Sequence, residues 1–156
     1  MGKEIYGLTI DQMAKAAFKF WGQYAHSLDS KNRVAIPAKF RQQLADGKVV
    51  VRENFEDCLT VQPAAEFARQ IEDSLARLDD LNSKKDRDIK RMMTGSVVEC
   101  ELDKQGRIGL SPGHVRTAGI TKEVVFIGMH DRFEIWDRRK WEAYKRQYKK
   151  QWQESE

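Results

Sequence analysis

A chain of 156 residues has room for one ordinary domain or two very small ones, and a core of that size folds without a disulfide or metal staple. With 40% hydrophobic and 33% charged residues the composition is globular, which excludes wholesale disorder and fibrous architecture. The net charge of +4 suits an anionic partner, yet residues 1–81 carry 11 basic against 12 acidic side chains and residues 82–156 carry 17 against 12, so bulk charge does not single out the first half.

Lys3, Glu4, Asp11, Lys15 and Lys19 interrupt residues 1–19, which therefore hold no signal-peptide core, and no apolar run nears the roughly 20 residues that cross a bilayer. The expected location is the cytoplasm, with residues 1–19 an N-terminal extension of unassigned role. From Tyr24 the pattern changes: Tyr24, His26 and Leu28 alternate with Ala25 and Ser27, the period of a half-buried strand. A tight connection follows at Asp29–Asn32. Asp can accept hydrogen bonds from backbone N–H groups two residues on, and Asn tolerates φ > 0, so this loop reads as a hairpin tip. Val34-Ala35-Ile36 forms the return strand, Pro37 starts a short helix, and Gly47 stands where it would stop. Strands are expected at 48–51 and 58–61. Phe67, Ile71, Leu75 and Leu78 then recur at helical spacing.

The segment Asn82-Ser83-Lys84-Lys85-Asp86 opens with capping residues, and Ile89, Met92 and Met93 followed by Gly95 predict a connecting helix. Beyond it the first pattern returns. Leu28-Asp29-Ser30-Lys31-Asn32-Arg33-Val34 reappears as Leu102-Asp103-Lys104-Gln105-Gly106-Arg107-Ile108, 74 residues later. The same offset maps Ile36 onto Leu110, Lys48 onto Lys122, Val50-Val51 onto Val124-Val125, Asp57 onto Asp131, Val61 onto Ile135 and Phe67 onto Trp141. Asn32 and Gly106 mark one shared left-handed turn position. The second copy repeats the plan with strands at 98–102, 108–110, 124–127 and 133–136, a helix start at Ser111-Pro112, a stop at Gly119, and a final helix striped by Trp141, Tyr144, Tyr148 and Trp152. That stripe reads as core packing, and the basic run Arg138–Lys150 as a solvated helix face.

Candidate chemistry is sparse. His26, His114 and His130 have no repeated carboxylate or nucleophile partner, no glycine-rich phosphate loop precedes a helix, and Cys58 and Cys100 lack zinc-site spacing. No enzyme, metal, cofactor or small-molecule substrate is expected, and both cysteines read as reduced core residues. What stands out is local charge: from Ser30 to Ala45 the chain has Lys31, Arg33, Lys39 and Arg41 and no acid. Arg33 has two readings. Its planar fork can pair with the O6 and N7 of guanine, or it can pair with Asp29 across the mouth of the turn. Both copies keep Asp and Arg, so Asp29, Asp103, Gly106 and Arg107 read as turn-building residues, whereas Lys31 stands where the second copy has Gln105.

The stretches Gly22–Arg33, Ile36–Arg41, Glu99–Ile108 and Asp131–Asp137 resemble the MraZ family, over about Phe20 to Tyr148. Two Asp-x-x-x-Arg motifs one module apart, joined with Phe133-Glu134-Ile135-Trp136, carry the resemblance. It implies an α+β fold, a duplicated swapped-hairpin AbrB-like β-barrel module with short packing helices: a first repeat at 20–81, a helical linker at 82–96 and a second repeat with the C-terminal helix at 97–156. It also implies a homo-oligomeric ring, commonly an octamer, and a nucleoid-associated regulator. Such a protein binds short direct promoter repeats in double-stranded DNA and controls its own operon of cell-division and cell-wall genes. DNA contact falls to Lys31, Arg33, Ser30 and Asn32, with Lys39 and Arg41 as weaker candidates. The rival expectation is a ring-forming protein scaffold that binds no DNA. Three departures from the family are the extension at 1–19, Asn32 in place of the usual Gly, and Ser111-Pro112-Gly113-His114 in place of a more regular helix start.

Overall fold

A computed structural model of the protein describes residues 4–5, 7–9 and 16–154. Most of the N-terminal extension lies outside the described residues; within it Glu4–Ile5 (β1) pairs with Leu8–Thr9 (β2). The first repeat supplies β3 (Gln23–Ser27), β4 (Arg33–Ala35), α1 (Ala38–Arg41), β5 (Lys48–Glu53), β6 (Leu59–Pro63) and α2 (Ala64–Ala76). Between α2 and the next strand lies α3 (Lys84–Gly95), its first turn capped by the Ser83 hydroxyl, which accepts from Asp86 N at 3.1 Å. The second repeat supplies β7 (Val98–Glu101), β8 (Arg107–Gly109), α4 (Pro112–Thr117), β9 (Glu123–Gly128), β10 (Phe133–Asp137) and α5 (Arg138–Glu154). The α4 start follows from Ser111 capping His114 N, with Pro112 in the first turn, where its missing N–H costs nothing.

The fold is α+β, built on antiparallel pairing. A six-stranded sheet runs β3-β9-β10-β6-β5-β7, and a separate ladder joins β4 to β8. The expectation of two local hairpins is corrected here. Within each turn two backbone bonds close the loop, Asp29 N to Arg33 O at 2.9 Å and Asn32 N to Asp29 O at 3.1 Å in the first, Asp103 N to Arg107 O at 2.9 Å and Gly106 N to Asp103 O at 3.0 Å in the second, but the flanking strands pair with the other copy. β3 joins β9, β7 joins β5, and β4 joins β8. Asp and Gly or Asn dictate where the chain bends; they do not dictate its pairing partner. Pairing across copies lets β4 and β8 face one another over the sheet, so Val34, Ile36, Ile108 and Leu110 are all buried.

Val34 lies opposite Ile108 and Thr60 opposite Glu134, and each of these residues is the other's counterpart at the offset of 74. Counterparts meeting face to face place a local two-fold axis through both pairs. One part of the uniform offset is also corrected. Leu28 N donates to Lys122 O as Leu102 N donates to Gly47 O, and β5 spans 48–53 where β9 spans 123–128, so these two strands correspond at an offset of 75. The inward residues are therefore Val49 and Val51 in one copy and Val124 and Phe126 in the other. A strand shifted by one residue presents its opposite face, but runs as apolar as Val49-Val50-Val51 and Val124-Val125-Phe126-Ile127 look the same in either register.

The main core fills the space between the sheet and the β4-β8 ladder, with Phe20, Phe40, Phe126 and Phe133 fully buried and packed edge or tilted at centroid distances of 4.8–5.9 Å. On the outer sheet face α5 lays Trp141 against Trp136, Val125, Ile127 and Cys58. The aromatic stripe of α5 is core at Trp141 and fades outward, Trp152 being 71% exposed. No residue of α2 or α3 is fully buried, so their apolar stripes are only half covered in the single chain.

Candidate nucleic-acid interface

Each turn is held by one carboxylate. Asp29 Oδ1 accepts Lys31 N and Arg33 N, both at 2.9 Å, and Asp29 Oδ2 accepts Arg33 Nε at 2.7 Å. Asp103 repeats the arrangement with Gln105 N, Arg107 N and Arg107 Nε, all at 2.9 Å. Three donors on one carboxylate favour the ionised form, so Arg33's backbone N–H, followed by its side chain, draws the Asp29 pKa down to about 2, and Asp103 is lowered for the same reason by Arg107. The left-handed positions fall at Asn32 (φ 57°) and Gly106 (φ 73°). Their carbonyls face the other copy: Asn32 O accepts Leu110 N at 2.9 Å and Gly106 O accepts Ile36 N at 3.0 Å.

The two turns thus sit back to back, and Arg107 Nη1 comes within 3.6 Å of Asp29 Oδ2. Sequence reasoning did not find this approach, because the partners lie in different copies with no local signal joining them. Arg41 has a structural task as well. Its Nη1 donates to Ile36 O at 2.9 Å, and its side chain lies where any Cβ on Gly106 would fall. Burial lowers the pKa of His26 on β3, and the charge of Arg41 adds to the same direction.

The structure separates the candidates accordingly. Arg33 is half-buried with Nε committed to Asp29, and Arg41 is half-buried against the second turn. Ser30 and Lys31 at the apex, and Lys39 on α1, are exposed. The counterparts of Lys39 and Arg41 are Gly113 and Val115, so the second copy lacks these two helix cations, while its turn carries the exposed Lys104 where the first has Ser30. Cys58 is buried and Cys100 half-buried, both free thiols, and burial raises the pKa of each. Among the described residues no group of three or more His, Cys, Asp or Glu could hold a metal ion, and no helix is long and apolar enough to cross a membrane.

Fold and turns together define a tandem-repeat α+β protein that presents two related Asp-x-x-x-Arg turns at the junction of its copies. The profile of the family described as "MraZ protein, putative antitoxin-like" matches residues 20–92 and again 93–155, and the chain belongs to the MraZ family. A protein named transcriptional regulator MraZ from Lactobacillus delbrueckii subsp. bulgaricus is 44% identical over 125 residues, 80% of this chain and 85% of its own length. Proteins of the same name from Caldanaerobacter subterraneus subsp. tengcongensis and Natranaerobius thermophilus are 47% and 43% identical over 124 and 129 residues, covering 79% and 82% of this chain and 84% and 87% of theirs. All three are named as regulators, not as enzymes.

Proposed function

We propose that this chain is a sequence-specific DNA-binding transcriptional regulator that contacts double-stranded DNA through its first turn. Lys31, Arg33, Ser30 and Asn32 make the contact, and Lys39 and Arg41 support it. The observation that carries the reading is the exposed Lys31, whose own backbone N–H is held by Asp29 at 2.9 Å, at the position where the second turn has the neutral Gln105, the second apex carrying its lysine one residue earlier at Lys104. A lysine on a fixed loop with exposed cations beside it suits phosphate and groove contacts. Arg33 holds the turn through Nε while extending its guanidinium toward a base edge.

The exchange of β3 and β7 between copies fits a swapped-hairpin AbrB-like barrel, with repeats at 20–81 and 97–156 about a helical linker at 82–96. The half-covered stripes of α2 and α3, together with Phe55 (67% exposed) and Leu81 (87% exposed), suit assembly into a homo-oligomeric ring, an octamer being favoured. One turn makes few contacts, whereas a ring carries several turns to several promoter repeats and multiplies affinity through effective concentration. The protein then works in the cytoplasm at the nucleoid, on short direct repeats upstream of its own operon of cell-division and cell-wall genes.

Gel shifts on duplexes with one and with several copies of the promoter repeat test this. Tighter binding to the multi-repeat duplex is expected, with affinity reduced by Lys31→Ala and base preference relaxed by Arg33→Ala. Equal affinity for single- and multi-repeat DNA defeats the ring argument. Absence of salt-sensitive retention on promoter DNA favours the scaffold reading instead.

A further inference from the structure

Because β3 of the first copy pairs with β9 of the second, the strand that leads into the first turn runs beside the entry to α5. Ser27 lies opposite Glu123, and Leu28 N donates to Lys122 O at 2.9 Å, immediately before Asp29 opens the turn. At this junction lies an open polar cleft of about 900 Å³, lined by Lys122, Glu123, Asp137, Arg138, Arg139 and Arg146, with Thr121 and Glu142 completing it. Lys122, Arg138, Arg139 and Arg146 are exposed, and none forms a side-chain ion pair with an acid among the described residues. Two of the acids are locally occupied: Glu123 Oε2 accepts Ser27 Oγ at 2.8 Å, and Asp137 accepts Thr121 N and Oγ1 at 3.1 Å while capping Lys140 N. Glu142 remains.

The duplication provides an internal control. β6 and β10 end at Pro63 and Asp137, and α2 and α5 begin at the next residue, so Arg138, Arg139, Glu142 and Arg146 correspond to Ala64, Ala65, Ala68 and Glu72. Lys122 corresponds to Gly47, the two carbonyls accepting equivalent bonds from Leu28 and Leu102. The same strand-to-helix junction is thus built in the other half with alanines, a glycine and an acid. The cations of the cleft are not required by the fold, and they occur beside the turn that carries Lys31, not beside the turn that carries Gln105.

We propose that this cleft is a second contact for the phosphodiester backbone of the duplex held by the first turn, with Arg138, Arg139 and Arg146 as phosphate-binding residues and Lys122 bridging turn and cleft. The inference rests on the DNA reading above. It revises part of the solvated helix face expected at 138–150: the length of α5 from Arg138 to Arg146 belongs to the interface, while Lys149 and Lys150, further along the same face, stay outside the cleft. Guanidinium groups suit this task, since each presents a planar fork to phosphate oxygens. Backbone contacts carry no base information, so they add affinity and salt dependence alike on any sequence.

The test compares wild-type protein with Arg138→Gln/Arg139→Gln/Arg146→Gln and with a Lys149→Gln/Lys150→Gln control of similar chemistry. Affinity is measured over a salt series on a promoter-repeat duplex and on an unrelated duplex. The triple variant is expected to bind both at least tenfold more weakly, to keep the wild-type preference between them, and to flatten the salt slope by about one for each phosphate it no longer neutralises, while the control changes little. Thermal melting verifies that the fold is intact. If the wild type binds and Lys31→Ala weakens it, but the triple variant matches the control, this inference is overturned and the DNA reading stands. If the wild type binds neither duplex, both fall.

Discussion

The two turns share one backbone and differ in what they present. Each is closed by an aspartate that accepts two backbone N–H groups and an arginine Nε, and each places a residue in the left-handed region. Around that common frame the first copy has Lys31, Lys39 and Arg41 where the second has Gln105, Gly113 and Val115, and Ser30 where the second has Lys104. Because fold and chemistry vary independently at counterpart positions, the pair distinguishes residues that build the turn from residues that serve a partner. Asp29 and Asp103 belong to the first group, and the proposed function puts Lys31 in the second and Arg33 in both.

Substitutions at counterpart positions break or sharpen this division. The largest effect is expected at the helices behind the turns. Phe40 is fully buried against Phe20, Tyr24 and Phe133, so Phe40→Ala should cost about 3–5 kcal/mol in denaturant unfolding. Its counterpart His114 is buried with a ring nitrogen 2.6 Å from Ser96 O, and His114→Ala should cost about 1–3 kcal/mol; equal destabilisation would mean that the two helices bear equal loads. Next comes the left-handed position. Gly106→Ala introduces a Cβ at φ 73° that also meets Arg41, and should cost about 1–3 kcal/mol, whereas Asn32→Gly should stay within about 0.5 kcal/mol of wild type.

Smaller effects probe function and titration. Exchanging the apices, Lys31→Gln with Gln105→Lys, should leave the melting temperature unchanged while lowering the salt slope of DNA binding by about one if only the first turn meets DNA. An unchanged slope would show that both turns take part. Finally, Asp29 is lowered from 3.8 to about 2, so the stability it contributes is complete above pH 3.8 and is lost as the pH falls toward 2. Asp29→Asn should flatten the acid limb of a melting-temperature profile in that window; an identical limb would assign acid sensitivity to other carboxylates.

Local chemistry was legible wherever it is written in consecutive residues. Strand alternation at 24–28, the turns at Asp29 and Asp103, the cap at Ser83 and the proline start at Pro112 all follow from properties of one residue and its near neighbours. The duplication was legible because counterparts recur at a nearly constant spacing. The one-residue slip between β5 and β9 was not, since a run of apolar residues fits both registers and only packing decides which face turns inward.

The candidate site divides in the same way. Sequence by itself determined the carboxylate that closes each turn, the residue that accepts φ > 0, and the cation at the first apex. Tertiary structure alone decided that each strand beside a turn pairs with the other copy, that Arg107 approaches Asp29, that Arg41 covers Gly106, and that the basic start of α5 lies next to the first turn instead of its own. A turn signal is a short-range energy, set by φ and by hydrogen bonds within four residues. The partner of a strand is chosen by the apolar area that closing a long loop buries, and that quantity exists only once both copies are folded together.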